Sequence, residues 1–188
     1  MLVTNHVLSG AAVGSAVGAP VPAFALGIVS HFVVDAVPHW GGWDSHRSFM
    51  RIAVADGLVG LATIGVVVAA TERSRRAAVL AGVVGAALPD LNKPAVVFFG
   101  RSPFPARVDR FHARIQDEAS GRFASHELTA AAAFTVAFLT LTRLRPRLAA
   151  ARQVLSGHIQ PPGRSVLPHV AAGDRLRALA ALPSHLSR

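Results

Sequence analysis

The chain is 188 residues long, enough for one domain with a sizeable core, and carries a formal net charge of +9 at pH 7. Its composition, 52% hydrophobic and 15% charged with a mean hydropathy of +0.43, is too apolar for an ordinary soluble domain and points to a membrane-embedded protein. The absence of cysteine excludes disulfides, thiolate metal sites and a cysteine nucleophile.

Leu2 to Val34 contains no Asp, Glu, Lys or Arg, a length that would ordinarily make one transmembrane span. GAPVP at Gly18 to Pro22 interrupts it, because two prolines so close together break a helix. The pattern therefore predicts two short antiparallel helices, Thr4 to Val17 and Ala23 to Val37, with Thr4 or Asn5 capping the first and Pro38 ending the second. The opening MLVTNH has no basic region, so no cleavable signal peptide is expected. Gly41 to Arg51 reads as a polar loop with Trp43 as an interfacial anchor. Ile52 to Ala70 is apolar except for Asp56 and is long enough to cross most of a bilayer. The basic link TERSRR, Thr71 to Arg76, leads into a helix over Ala77 to Leu88 that Pro89 bounds, leaving Asp90 and Asn92 just beyond.

Gly100 to Arg122 is the most polar internal region and contains FHARIQDE, in which His112 and Gln116 stand four residues apart. Phe123 to Thr142 is a further apolar helix with His126 and Glu127 in its first turn. After RLRPR the composition changes. Residues 1–144 are therefore expected to form a membrane-embedded helical domain, and 145–188 a basic, largely disordered tail with a short amphipathic helix over Asp174 to Leu182. Lys93 is the only lysine, and the arginines lie in links and the tail with little aromatic interleaving. Anionic lipid headgroups, and not nucleic acid, are the expected partner.

The chemistry gathers around SHFVVDAVPHW, Ser30 to Trp40, which spaces His31, Asp35 and His39 four residues apart. On a helix that spacing puts His31 and Asp35 on one face, within reach of a shared ion or of each other. Imidazole and carboxylate together are a ligand set for zinc and related divalent metals. At 1.5 Å per residue, with a first turn near Pro20, His6 lies about 21 Å up one arm and His31 and Asp35 about 16 to 22 Å up the other. With a second turn near Arg73, Asp56 and Asp90 each lie about 25 Å away, side by side. If two antiparallel hairpins and the remaining helices form one bundle, His6, His31, Asp35, His39, Asp56, Asp90, His112 and Glu127 meet at one end. Carboxylates brought together in apolar sequence need compensation, which one or two divalent cations would supply. The alternative is that each acid pairs separately with an arginine or a backbone N–H. His46, His158, His169 and His185 sit in loop or tail and are expected to be solvated. Gly10 with Gly14, and Gly14 with Gly18, suit close helix packing.

These residues resemble a family, the YdjM-like bacterial inner-membrane proteins, which are described as membrane-bound metal-dependent hydrolases. The resemblance rests on His6 in TNHVLSG, on HFVVDAVPH, on Asp56, on LPD and on FHARIQ, and spans about residues 4 to 130. The His31/Asp35 pair is also similar to the HxxxD of helical zinc phospholipases C and related nucleases, although this chain has His112 with Gln116 where those enzymes continue with HxxxE. The resemblance implies a multi-pass protein of the inner (cytoplasmic) membrane. The expectation is an all-α, membrane-integrated hydrolase of phosphoester or other ester bonds, with a lipid substrate suiting the membrane setting, acting through a metal-activated water. His6, His31, Asp35, Asp56, Asp90 and His112 are the expected ligands of one or two divalent ions, zinc first, with His39 and Glu127 as general acid or base. A different class remains open at this point: a non-enzymatic membrane protein whose buried His and Asp conduct protons or a cation.

Overall fold

A computed structural model describes residues 1–42 and 45–157. Helix dominates them, as α1 (Val3–Val17), α2 (Pro20–Asp35), α3 (His46–Ala70), α4 (Arg76–Ala87), α5 (Asn92–Phe99), α6 (Ala106–Ile115) and α7 (Leu128–Gly157). The chain divides into two units, Met1–Ala149 and Ala150–Arg188, and the site described below lies in the first. Trp43, Asp174 to Leu182, His158, His169 and His185 lie outside the described residues.

The boundaries follow from local chemistry. Gly18 closes α1 in the left-handed conformation, φ 78°, its N–H bonding Gly14 O at 3.0 Å. α2 starts at Pro20, ahead of the expected Ala23, because first-turn N–H groups have no intrahelical acceptor and proline there loses nothing. α3 starts ahead of Ile52 because Ser45 Oγ accepts the Ser48 N–H at 3.2 Å and caps it. α4 ends at Ala87, so Pro89 bounds it as expected, and LPD forms a 3-10 turn, Leu88–Leu91, that leads into α5. The polar region holds α6, and a π-helical turn, Phe123–Glu127, precedes α7. α7 passes through the RLRPR stretch to Gly157, beyond the expected Thr142.

An all-helical pattern does not foresee one small feature. β1 (His39–Trp40) and β2 (Glu118–Ala119) pair in parallel, His39 opposite Glu118 and Trp40 opposite Ala119. Pro38 prevents α2 from continuing, and the extended residues after it find backbone partners: His39 N–H bonds Asp117 O at 3.0 Å.

α4 packs against both α1 and α2, while α1 also packs against α2 and α3. Glycine allows this closeness. A Cβ on Gly82 would overlap Gly10 O, one on Gly27 would overlap Gly82 O, and one on Gly85 would overlap Phe24 O. Around this contact Val7, Ala11, Ala12, Val79 and Val83 form the core with Val67 of α3 and Phe138 of α7. Other faces are apolar and bare: Leu58 and Leu61 of α3 are 64% and 68% exposed. Two stretches, His46–Ala70 and Ser125–Leu144, are long and apolar enough to cross a membrane.

Candidate metal centre

His31 and Asp35 lie one turn apart on α2 and are fully buried. α1 adds His6, the turn after α4 adds Asp90, and α6 adds His112. The close packing of α4 on α1 and α2 sets their spacing, since it also places the Ala86 carbonyl against His31.

That carbonyl decides the chemistry of His31. Its oxygen lies 2.7 Å from Nδ1, so Nδ1 carries the proton in the neutral ring and Nε2 keeps its lone pair. Nε2 faces His112 Nε2 at 3.0 Å and Asp35 Oδ2 at 3.2 Å. His112 Nε2 is itself 2.8 Å from Asp35 Oδ2, and Gln116 Nε2 stands 3.2 Å from the same oxygen. Three nitrogens thus crowd one carboxylate oxygen. On the other side Asp35 Oδ1 is 3.1 Å from His6 Nε2 and 3.0 Å from the Met1 amino nitrogen. Asp90 Oδ2 is 3.9 Å from His6 Nε2, and Asp90 Oδ1 is 3.8 Å from His112 Nε2. Burial favours the neutral acid at Asp90, but the Lys93 ammonium 2.8 Å away, together with His6 and His31, holds the carboxyl below its usual range.

One ligand atom from each of His31, Asp35, Asp90 and His112 lies within 4.8 Å of the others, so the group could hold a metal ion. The donor set fits one: imidazole nitrogens and carboxylate oxygens, mostly buried. His6 lies against this group without being one of its four members: it is fully buried, Nε2 meets Asp35 Oδ1, and Nδ1 has no hydrogen-bond partner. No family model, curated protein or solved structure matches this chain. What the cluster can do has to follow from its own atoms.

The remaining expected residues lie close by in sequence or contact but serve other groups. Asp56 accepts from the N–H groups of Val3 at 2.6 Å and Thr4 at 3.2 Å and from Thr4 Oγ1 at 2.6 Å, capping α1; it is not in the metal-binding group. Buried Glu127 accepts from Leu2 N–H at 3.2 Å, Asn5 Nδ2 at 2.7 Å and Trp40 N–H at 3.1 Å. For these two acids the compensating groups are chiefly N–H donors, as the alternative to metal had it. His39 donates from Nδ1 to Val37 O at 2.8 Å, and its Nε2 lies 3.6 Å from Glu118 Oε1. The neighbouring His39, with a smaller contribution from Lys93, holds the Glu118 carboxyl below its ordinary range against the opposing effect of partial burial.

Two contributors were not among the expected ligands. Gln116 was visible as the residue four after His112, and Lys93 as the lone lysine three after Asp90, but neither type is an expected zinc ligand. A groove of about 740 Å³, lined by Asp56 and Glu127 and not by the clustered His and Asp residues, is walled by Leu2, Trp40, Ile52 and Phe123 and falls within the usual size of small-molecule sites.

Proposed function

We propose that this chain is a multi-pass helical protein of the bacterial inner membrane, YdjM-like in kind, that binds zinc or a similar divalent cation and hydrolyses a phosphoester or other ester of a lipid. The observation that carries the proposal is the meeting of His31 Nε2, His112 Nε2 and Asp35 Oδ2 in a buried site. Without a cation, His112 Nε2 has at most one proton to offer both the His31 Nε2 lone pair and Asp35 Oδ2, with Gln116 Nε2 adding an N–H to that oxygen; a cation would satisfy the lone pair left over. Support for the membrane comes from the bare apolar faces of α3 and from the two helical stretches long enough to span. In this arrangement α1 with α2, and α3 with α4, form antiparallel hairpins whose shared end bears the site.

A bound divalent cation would lower the pKa of a coordinated water and polarise the ester oxygen. The chain's own groups prepare that step. Ala86 O fixes the His31 tautomer, and Lys93 balances Asp90. Glu127 positions the Leu2 backbone and the Asn5 side chain, and His39, with Nε2 turned to Glu118, is the group available to carry a proton. The groove beside Leu2 and Asn5 suits the apolar part of a lipid.

The test is metal content and phosphoesterase turnover of the detergent-purified protein and of Asp35→Ala. The expected result is stoichiometric metal and turnover in the parent, both lost in the variant. Retention of metal and hydrolysis by Asp35→Ala would refute the assignment.

A further inference from the structure

Asp35 has two oxygens, and they serve different groups. Oδ2 meets His31 Nε2 at 3.2 Å and His112 Nε2 at 2.8 Å. Oδ1 meets His6 Nε2 at 3.1 Å. Asp90 is divided in the same way, with Oδ1 toward His112 and Oδ2 toward His6. The rings of His6 and His31 stack, centroids 4.1 Å apart and planes 26° from parallel. Two stacked imidazoles that present Nε2 to opposite oxygens of one carboxylate address neighbouring points and not a single one. His6 is also fully buried, with no hydrogen-bond partner at Nδ1 and only the Asp35 Oδ1 contact close to Nε2. A buried imidazole in that condition costs free energy unless something binds it.

We infer that the cluster is a two-ion site bridged by Asp35: His31, His112 and Asp35 Oδ2 take one divalent cation, and His6, Asp35 Oδ1 and Asp90 take a second. The inference rests on the proposal that the cluster binds metal at all. It narrows the substrate class, because paired ions about 3.5–4 Å apart suit in-line displacement at phosphorus, where attacking and leaving oxygens both need stabilising. A phosphoester is thereby favoured over a carboxylic ester.

The test needs no substrate. Protein stripped with chelator is titrated with zinc chloride in detergent and its metal content measured after desalting; a parallel sample takes Mn(II) for electron paramagnetic resonance. The parent is expected to retain two equivalents and to give an exchange-coupled Mn(II) spectrum. His6→Ala is expected to retain one equivalent and to lose the coupling, with helicity by circular dichroism unchanged; His6→Gln replaces it should the alanine variant fail to fold. One equivalent in the parent, unchanged by His6→Ala or His6→Gln, would overturn the two-ion inference and leave the metal-site proposal standing. No retained metal in the parent would overturn both.

Discussion

Asp56 separates a structural from a ligating acid, and the separation can be measured. Its carboxylate receives the Val3 and Thr4 N–H groups and the Thr4 hydroxyl, with the closest contacts at 2.6 Å. Asp56→Ala strands two helix-terminal donors in a partly buried place. Hydrogen bonds to a charged acceptor are worth about 1.5–3 kcal/mol each. The site is only partly buried, which offsets part of that, so a net loss of about 2–3 kcal/mol is expected, at or above the top of the about 0.5–2 kcal/mol usual for a cap deletion because three donors are involved. For a chain of this size that corresponds to a fall of roughly 4–12 °C in Tm. Asp56→Asn keeps one acceptor oxygen and should lose about half as much. Thermal unfolding followed by circular dichroism gives the first quantity, and elemental analysis well below Tm gives the second. Metal content should stay at the parent value in both variants. If Asp56→Ala loses metal while Tm is unmoved, Asp56 is a ligand and the capping account is wrong.

Two further outcomes follow from particular contacts. A Cβ on Gly82 would lie on Gly10 O and within 3.0 Å of Gly14 N, so Gly82→Ala should destabilise by about 1–3 kcal/mol in the same melts; Gly57→Ala, which meets nothing within 4 Å, should be neutral or slightly stabilising. Equal effects at the two positions would mean that α1 and α4 are not in backbone contact. The folded state holds the Glu118 carboxyl below its unfolded value, so its contribution is complete above the ordinary glutamate range and fades as pH falls through the lowered value. Between about pH 5 and pH 3 the parent should lose Tm faster than Glu118→Gln, and parallel curves would refute the pairing.

The sequence showed the cluster's members better than their grouping. His31 and Asp35 were legible together because four-residue spacing on one helix is a local fact, His6 and Asp90 followed from counting rise along paired arms, and His112 from its place in the polar segment before the last helix. Counting rise cannot say which way a side chain turns. Asp56 and Asp90 fell at equal distance from the same link, yet one turns to the first turn of α1 and the other to His6 and Lys93. Helix starts were misjudged where proline or serine acts within the first turn, as at Pro20 and Ser45. The β1–β2 pair had no signal, since two extended residues beside a proline carry no period. Gln116 was seen at the right spacing, but only the fold shows that it reaches Asp35.

The separation of the cluster's parts along the chain bears on how the protein is made. Asp35 and His112 are 77 residues apart, and Leu2 and Glu127 are 125 apart. α1 and α2 can pair soon after synthesis, but α6 must arrive before the cluster contains His112, and the turn before α7 before Glu127 receives Leu2 and Asn5. Until then Asp35 is a buried charge short of its partners, which disfavours premature closure of the bundle. On the proposed reading, metal capture belongs at the end of assembly. An ion held there would join early and late segments as a cross-link does, closing a long loop whose entropy the unfolded chain would otherwise recover.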